Sequence, residues 1–234
     1  MSALLAARDL AVRYGPRAIF ERVDVAIESG KLIALVGPNG AGKSSLLRVL
    51  AGTQLPHAGS VARKTRVALV ATSLALPPDV TPAQLSGYVV AIRRAWWRVG
   101  QSAAERTAIE TALERTGMRE RANDPAATLS SGEVQRAWIA AALATDAGVL
   151  LIDEPTTHLD LRYQVEVIRT LKSIARSGVG VVVAIHDLTL AARFADAIAL
   201  LAGGAMEIGE PHAVLRPATL ERAFGTEITT HVDA

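Results

Sequence analysis

The chain has no cysteine among its 234 residues, which excludes disulfides and thiolate metal sites and fits a reducing compartment. Aromatics are scarce, with three each of phenylalanine, tyrosine and tryptophan. Neither charge sign dominates: Lys and Arg total 25 against 23 Asp and Glu, a net charge of +2. Bulk charge therefore gives no nucleic-acid footprint. No apolar run is long enough to span a bilayer, since the run at 179–185 stops at His186. The first nine residues lack the basic start and long apolar stretch of a signal peptide. The expectation is a chain soluble by itself and cytoplasmic, reaching a membrane only through a partner. No internal repeat, linker or low-complexity tract is present. Half of the residues are apolar, enough for a full core in one domain, or in one domain with an insert.

What is present centres on residues 37–44, which fit G-x-x-x-x-G-K-S/T with Gly37, Gly42, Lys43 and Ser44 at the fixed positions. Glycines let the backbone form a concave nest of N–H groups aimed at phosphate oxygens. Lys43 can then reach the β- and γ-phosphates, and the Ser44 hydroxyl can ligate Mg²⁺. Residues 31–36 read as a short buried strand and 44–51 as a helix, so the loop sits at a helix N-terminus, which favours an anion. A glycine-rich turn that binds nothing is the alternative, and strand before, helix after and Lys-Ser in place argue against it. The expected ligand is a nucleoside triphosphate.

Two strands are expected at 4–12 and 18–27. Tyr14, between them, either stacks on an adenine face or fills the edge of a sheet. The basic run 63–66 reads as a solvated hairpin tip, and 67–71 as the next strand. From Thr81 to Ala144 the pattern is helical. Thr81 is an N-cap with Pro82 in the first turn, and a second run, 103–116, ends at Gly117. Trp96 and Trp97 are either packing residues or a partner-facing surface. This block reads as a helical insert in an α/β chain. Ser130 and Glu133 stand in the spacing of a capping box ahead of a helix at 134–144, a second anion-ready N-terminus.

Residues 149–152 are a buried strand that delivers Asp153 and Glu154 at its C-terminal end, where ligands sit in a parallel α/β sheet. Asp153 is placed to hold Mg²⁺ through water and Glu154 to orient or deprotonate an attacking water. The bland alternative is a helix cap at a strand end. A helix at 161–176 and a strand at 179–185 follow, and the strand leads into His186. That histidine is either satisfied by a hydrogen bond or in contact with the γ-phosphate. A helix at 188–194, a strand pair about Gly203-Gly204 and a closing helical pair at 211–224 complete the chain.

With these motifs in order, the sequence resembles the nucleotide-binding subunit of ATP-binding-cassette (ABC) transporters over essentially its whole length. The resemblance implies a single domain over 1–234: a P-loop NTPase fold with a RecA-like core, an antiparallel β subdomain and a helical insert at about 77–145. It makes Gly37, Pro38, Asn39, Gly40, Ala41, Gly42, Lys43, Ser44 and Ser45 the ATP-binding loop, and Tyr14 the stacking aromatic. Glu154 becomes the catalytic glutamate and His186 the switch histidine. Residues 129–133 match the signature motif, and 157–160, with Asp160, the D-loop. The resemblance further implies that two copies dimerise head to tail around two Mg-ATP molecules, Ser130 and Gly132 of one donating to the nucleotide on the other. Membrane permease subunits docked on the helical insert, and an external substrate-binding protein, are the implied partners. Nucleic acid is not expected, because cassettes that act on it carry two domains or a long coiled-coil insert.

Three departures stand out. Thr72 occupies the place where the family has a metal-touching glutamine, so it is the third expected metal position beside Ser44 and Asp153; Gln84 is a possible substitute. Ser131 replaces the first signature glycine, and the stretch from Gly59 to Val67 is short. Residues 153–160, 135–139 and the closing helices resemble importers of iron–siderophore, haem or cobalamin, whereas the short hairpin resembles some zinc or manganese importers. The alternative in a different class is a nucleotide-gated regulatory module without a permease.

Overall fold

The computed structural model describes residues 3–71, 75–92, 100–157 and 159–225. Its centre is a six-stranded sheet in the order β5-β6-β7-β3-β8-β9, formed by β3 (Leu32–Val36), β5 (Val67–Val70), β6 (Val149–Asp153), β7 (Gly180–Ala184), β8 (Ala197–Ala202) and β9 (Ala205–Gly209). The first five are parallel and β9 closes the edge antiparallel. β3, β6 and β7 are buried at every position, the pattern of parallel strands covered on both faces.

Because side chains alternate along a strand, each strand feeds two separate cores. Leu32, Ala34 and Val36 join Leu150, Ile152, Val181 and Val183 on one face. Ile33 and Leu35 join Leu151, Val182 and Leu201 on the other. The first face is covered by α2 (Pro82–Ile92), α4 (Ser131–Leu143), α5 (Leu161–Arg176) and α6 (Leu188–Phe194). The second carries α1 (Lys43–Ala51) and a three-stranded antiparallel sheet, β2-β1-β4, made of β1 (Leu5–Tyr14), β2 (Arg17–Ile27) and β4 (Ala58–Arg63). The remaining helices are α3 (Ala103–Arg115), α7 (Pro211–Val214) and α8 (Pro217–Phe224). Helices α2, α3 and α4 pack on one another.

The basic run at 63–66 is not a hairpin tip. β4 pairs with β1 and β5 with β6, so the run crosses between two sheets. Arg63 donates from Nε to Leu50 O (2.8 Å) and from Nη2 to Val49 O (2.7 Å), satisfying the last carbonyls of α1 as a cation at a helix C-terminus does. A carbonyl acceptor contributed by a helix end thirteen residues away leaves no mark in local charge spacing.

Candidate functional site

The phosphate loop is held open by its neighbours. Gly37 adopts φ 150°, and a Cβ there would lie 2.0 Å from Leu201 O on β8. Gly42 adopts φ 102°, where a Cβ would meet Ile19 Cγ2 at 2.5 Å. No L side chain fits either place. Gly42 caps α1 without any side-chain hydrogen bond, and no acidic residue stands in the first turn. The first N–H groups of α1 are thus left to an anion.

Lys43 is buried, only 5 % exposed. Its Nζ donates to Gly37 O (2.8 Å) and Pro38 O (3.3 Å), while the Ala41 amide donates to Pro38 O. The lysine therefore spans its own loop where phosphate oxygens would lie. Burial pushes its pKa down, and the charges of Glu154 and then Asp153 push back. That opposition shows both carboxylates to be electrostatic neighbours of the phosphate loop.

Asp153 ends β6 and is 8 % exposed. Glu154 follows with φ 48°, a conformation non-glycine residues rarely adopt and one that gathers at functional sites. Its amide donates to Ala184 O on β7 (3.0 Å), which fixes the turn. Its Oε1 lies 2.7 Å from His186 Nε2; a carboxylate oxygen only accepts, so Nε2 carries the proton. Thr157 Oγ1 donates to the other carboxylate oxygen at 3.4 Å. The hydrogen-bond partner of His186 is thus Glu154, the residue expected as the catalytic base.

A cleft of about 340 Å³ is lined by Tyr14, Arg17, Ile19, Asn39, Gly40, Gly42, Lys43, Ser44, Ser45 and Glu154. Tyr14 is half exposed at its mouth. Its hydroxyl lies 3.0 Å from Ser45 Oγ and donates to Gln54 Oε1 at 3.2 Å. The Ser45 bond outweighs burial and draws the phenol below its ordinary pKa. Arg17, Ile19 and Gln54 were invisible to motif reading, since they reach the site through tertiary contact across tens of residues.

The signature residues do not line this cleft. Ser130 caps α4, accepting from the Glu133 amide, while the Glu133 carboxylate accepts from the Ser130 amide and hydroxyl. The capping box is therefore real. Its donors hold Glu133 below the ordinary carboxylate pKa, the Ser130 amide foremost, with Arg121 adding to it. Gly132 is buried against α5, where a Cβ would come within 3.0 Å of the Tyr163 ring. Ser131 is exposed at the first helical position, so the hydroxymethyl added there meets no obstacle. Asp160 caps α5 by accepting from the Tyr163 amide (3.1 Å). Gln84 is spent on a capping box with Thr81: its Oε1 accepts from the Thr81 backbone N–H, and its own backbone N–H donates to Thr81 Oγ1. Thr72, Trp96, Trp97 and His158 lie outside the described residues.

Among the described residues no helix is long and apolar enough to cross a membrane. The ABC transporter family model matches residues 20–157. Hemin import ATP-binding protein HmuV of Rhodopseudomonas palustris strain HaA2 is 36% identical over 100% of this chain and 95% of that protein. Iron(3+)-hydroxamate import ATP-binding protein FhuC of Bacillus subtilis strain 168 is 37% identical over 94% of this chain and 87% of that protein. A solved ABC transporter in an inward-facing conformation, provisionally assigned to the metal-chelate type, has the same fold. It superposes with TM-score 0.87 at 24% identity, covering 96% of this chain and 90% of that one. With a family match over more than half its length and relatives aligned nearly end to end, the chain belongs to the ABC transporter family, as one of its ATP-binding, ATP-hydrolysing cassettes.

Proposed function

We propose that the chain powers a membrane importer of iron chelates, of the hemin or iron-hydroxamate kind for which its relatives are named. The observation that carries the catalytic part is that Lys43 and Glu154, the latter paired with His186, line one cleft at the phosphate loop. ATP enters with its triphosphate in the loop of residues 37–45, and Lys43 exchanges Gly37 O and Pro38 O for phosphate oxygens. Adenine stacks on Tyr14. Glu154, steered by His186, orients the attacking water and takes its proton.

Ser44 and Asp153 suit Mg²⁺, which takes oxygen ligands, keeps several waters and shares its shell with substrate phosphates. Among the described residues there is no cluster of three or more metal-ligating side chains, in keeping with a cation that arrives with its nucleotide. When bound, Mg²⁺ supplies charge neutralisation at the phosphates.

Within one chain the N-terminus of α4 is absent from the cleft lining, which supports a site completed by Ser130 and Gly132 of a second copy, with Asp160 near the junction. A single cassette over 1–234, its helical insert at about 77–145 docked on permease subunits at the inner face of the membrane, is part of the same reading. So is an external binding protein that supplies the chelate.

The test has two stages. The purified chain should hydrolyse ATP only with Mg²⁺, and Glu154→Gln should bind ATP without turnover; equal turnover in both would remove Glu154 from the mechanism. Co-expressed with its permease in vesicles, the wild-type chain should drive ATP-dependent hemin or hydroxamate-iron uptake, and hydrolysis with neither chelate taken up would refute the cargo.

A further inference from the structure

A second cleft, of about 400 Å³, opens where the end of α3 and the flank of α4 meet α5. It shares no lining residue with the nucleotide cleft. Arg115 of α3, Arg136 of α4 and Arg169 of α5 all line it, against one carboxylate, Glu166. That carboxylate is already divided: Glu166 accepts from Arg136 Nη1 at 3.1 Å and from Arg162 Nε at 3.3 Å. Arg136 is 14% exposed in its side chain, and its Nε is buried with no hydrogen-bond partner among the described residues. Arg115 donates to the Ser177 hydroxyl and has no carboxylate partner among the described residues. Burial pushes its pKa down. The Arg169 side chain makes no ion pair or hydrogen bond among the described residues.

Arginines from three helices thus line one shallow, open depression against a single carboxylate among the described lining residues. Partly desolvated like charges repel, and a cluster of this kind is relieved by an anion. The planar fork of arginine matches the oxygens of phosphate two at a time. A depression of about 400 Å³ has room for a small molecule. We propose that this cleft binds a small phosphate-bearing anion, which ties α3 and α4 to α5. The site is independent of the transport reading and stands or falls by itself.

The probe is pyrophosphate, titrated calorimetrically into the full chain carrying Lys43→Ala, which disables the phosphate loop. One saturable site is expected. Adding Arg169→Ala should weaken it about tenfold, the scale of one lost charge-assisted contact, with an unchanged unfolding temperature because Arg169 is exposed. Arg115→Gln should do the same; should it unfold the chain, Arg169→Ala decides alone. Arg8→Ala, on β1, is the control for general charge. Absence of saturable binding, binding untouched by Arg169→Ala, or an equal loss with Arg8→Ala would overturn the proposal.

Discussion

His186 Nε2 and Glu154 Oε1 are 2.7 Å apart, and the two residues emerge just past the C-terminal ends of adjacent parallel strands, β6 and β7. The strand register brings them together: Asp153 pairs with Ala184, and the Glu154 amide donates to Ala184 O. A carboxylate set at positive φ and held by an imidazole is aimed by the sheet itself rather than by a flexible loop.

His186→Ala should lower kcat about 10²-fold, the lower range for a lost group in proton transfer, while ATP affinity changes little, because the phosphate loop is untouched. His186→Gln retains an N–H donor and should recover part of the loss. Steady-state kinetics that separate kcat from KM check this. Equal kcat in wild type and His186→Ala would mean that Glu154 needs no partner.

Tyr14 is tied to Ser45 and Gln54 through its hydroxyl, yet its expected use is through its ring. Tyr14→Phe keeps the ring and frees Ser45 for phosphate, so ATP should bind about two- to tenfold tighter, the worth of one hydrogen bond to be broken. Tyr14→Ala should bind about tenfold more weakly, the cost of one lost base stack. Titration with a fluorescent ATP analogue separates the two. Equal loss in both variants would assign the role to the hydroxyl.

Much of this arrangement was legible in the sequence where one short motif makes one local structure. Residues 188–194 were expected as a helix and form α6 with the same bounds. The phosphate loop, the buried strand into Asp153-Glu154 and the capping box at Ser130 also fell where motif chemistry placed them. What escaped depends on distant partners. Arg63 looked like a solvated charge, yet it caps α1 through carbonyls no pattern announces. The Tyr14 to Gln54 bond spans forty residues, and the positive φ of Glu154 is imposed by β7.

Acid should loosen the sheet at one identifiable point. Burial raises the Asp196 pKa, but the Leu32 amide at 2.8 Å and Lys172 at 2.6 Å outweigh it, leaving the group below its ordinary 3.8. A depressed folded pKa means its stabilisation is complete above about 4 and fades as pH falls through the folded value. Asp196→Asn should cost about 1–2 kcal/mol at neutral pH, the worth of a partly exposed charged contact. It should also flatten the loss of stability below pH 4. Urea unfolding across pH measures both, and an unchanged acid limb would discharge Asp196 from this role.

In the proposed cycle one chain holds the phosphates and a second closes over them. Light scattering on the Glu154→Gln chain, with and without Mg-ATP, tests it most directly. A monomer that doubles in mass when Mg-ATP is added is expected, with the doubling lost on Ser130→Arg, which places a bulky cation at the closing helix end. A Glu154→Gln chain that binds Mg-ATP and remains a monomer at every concentration would contradict it.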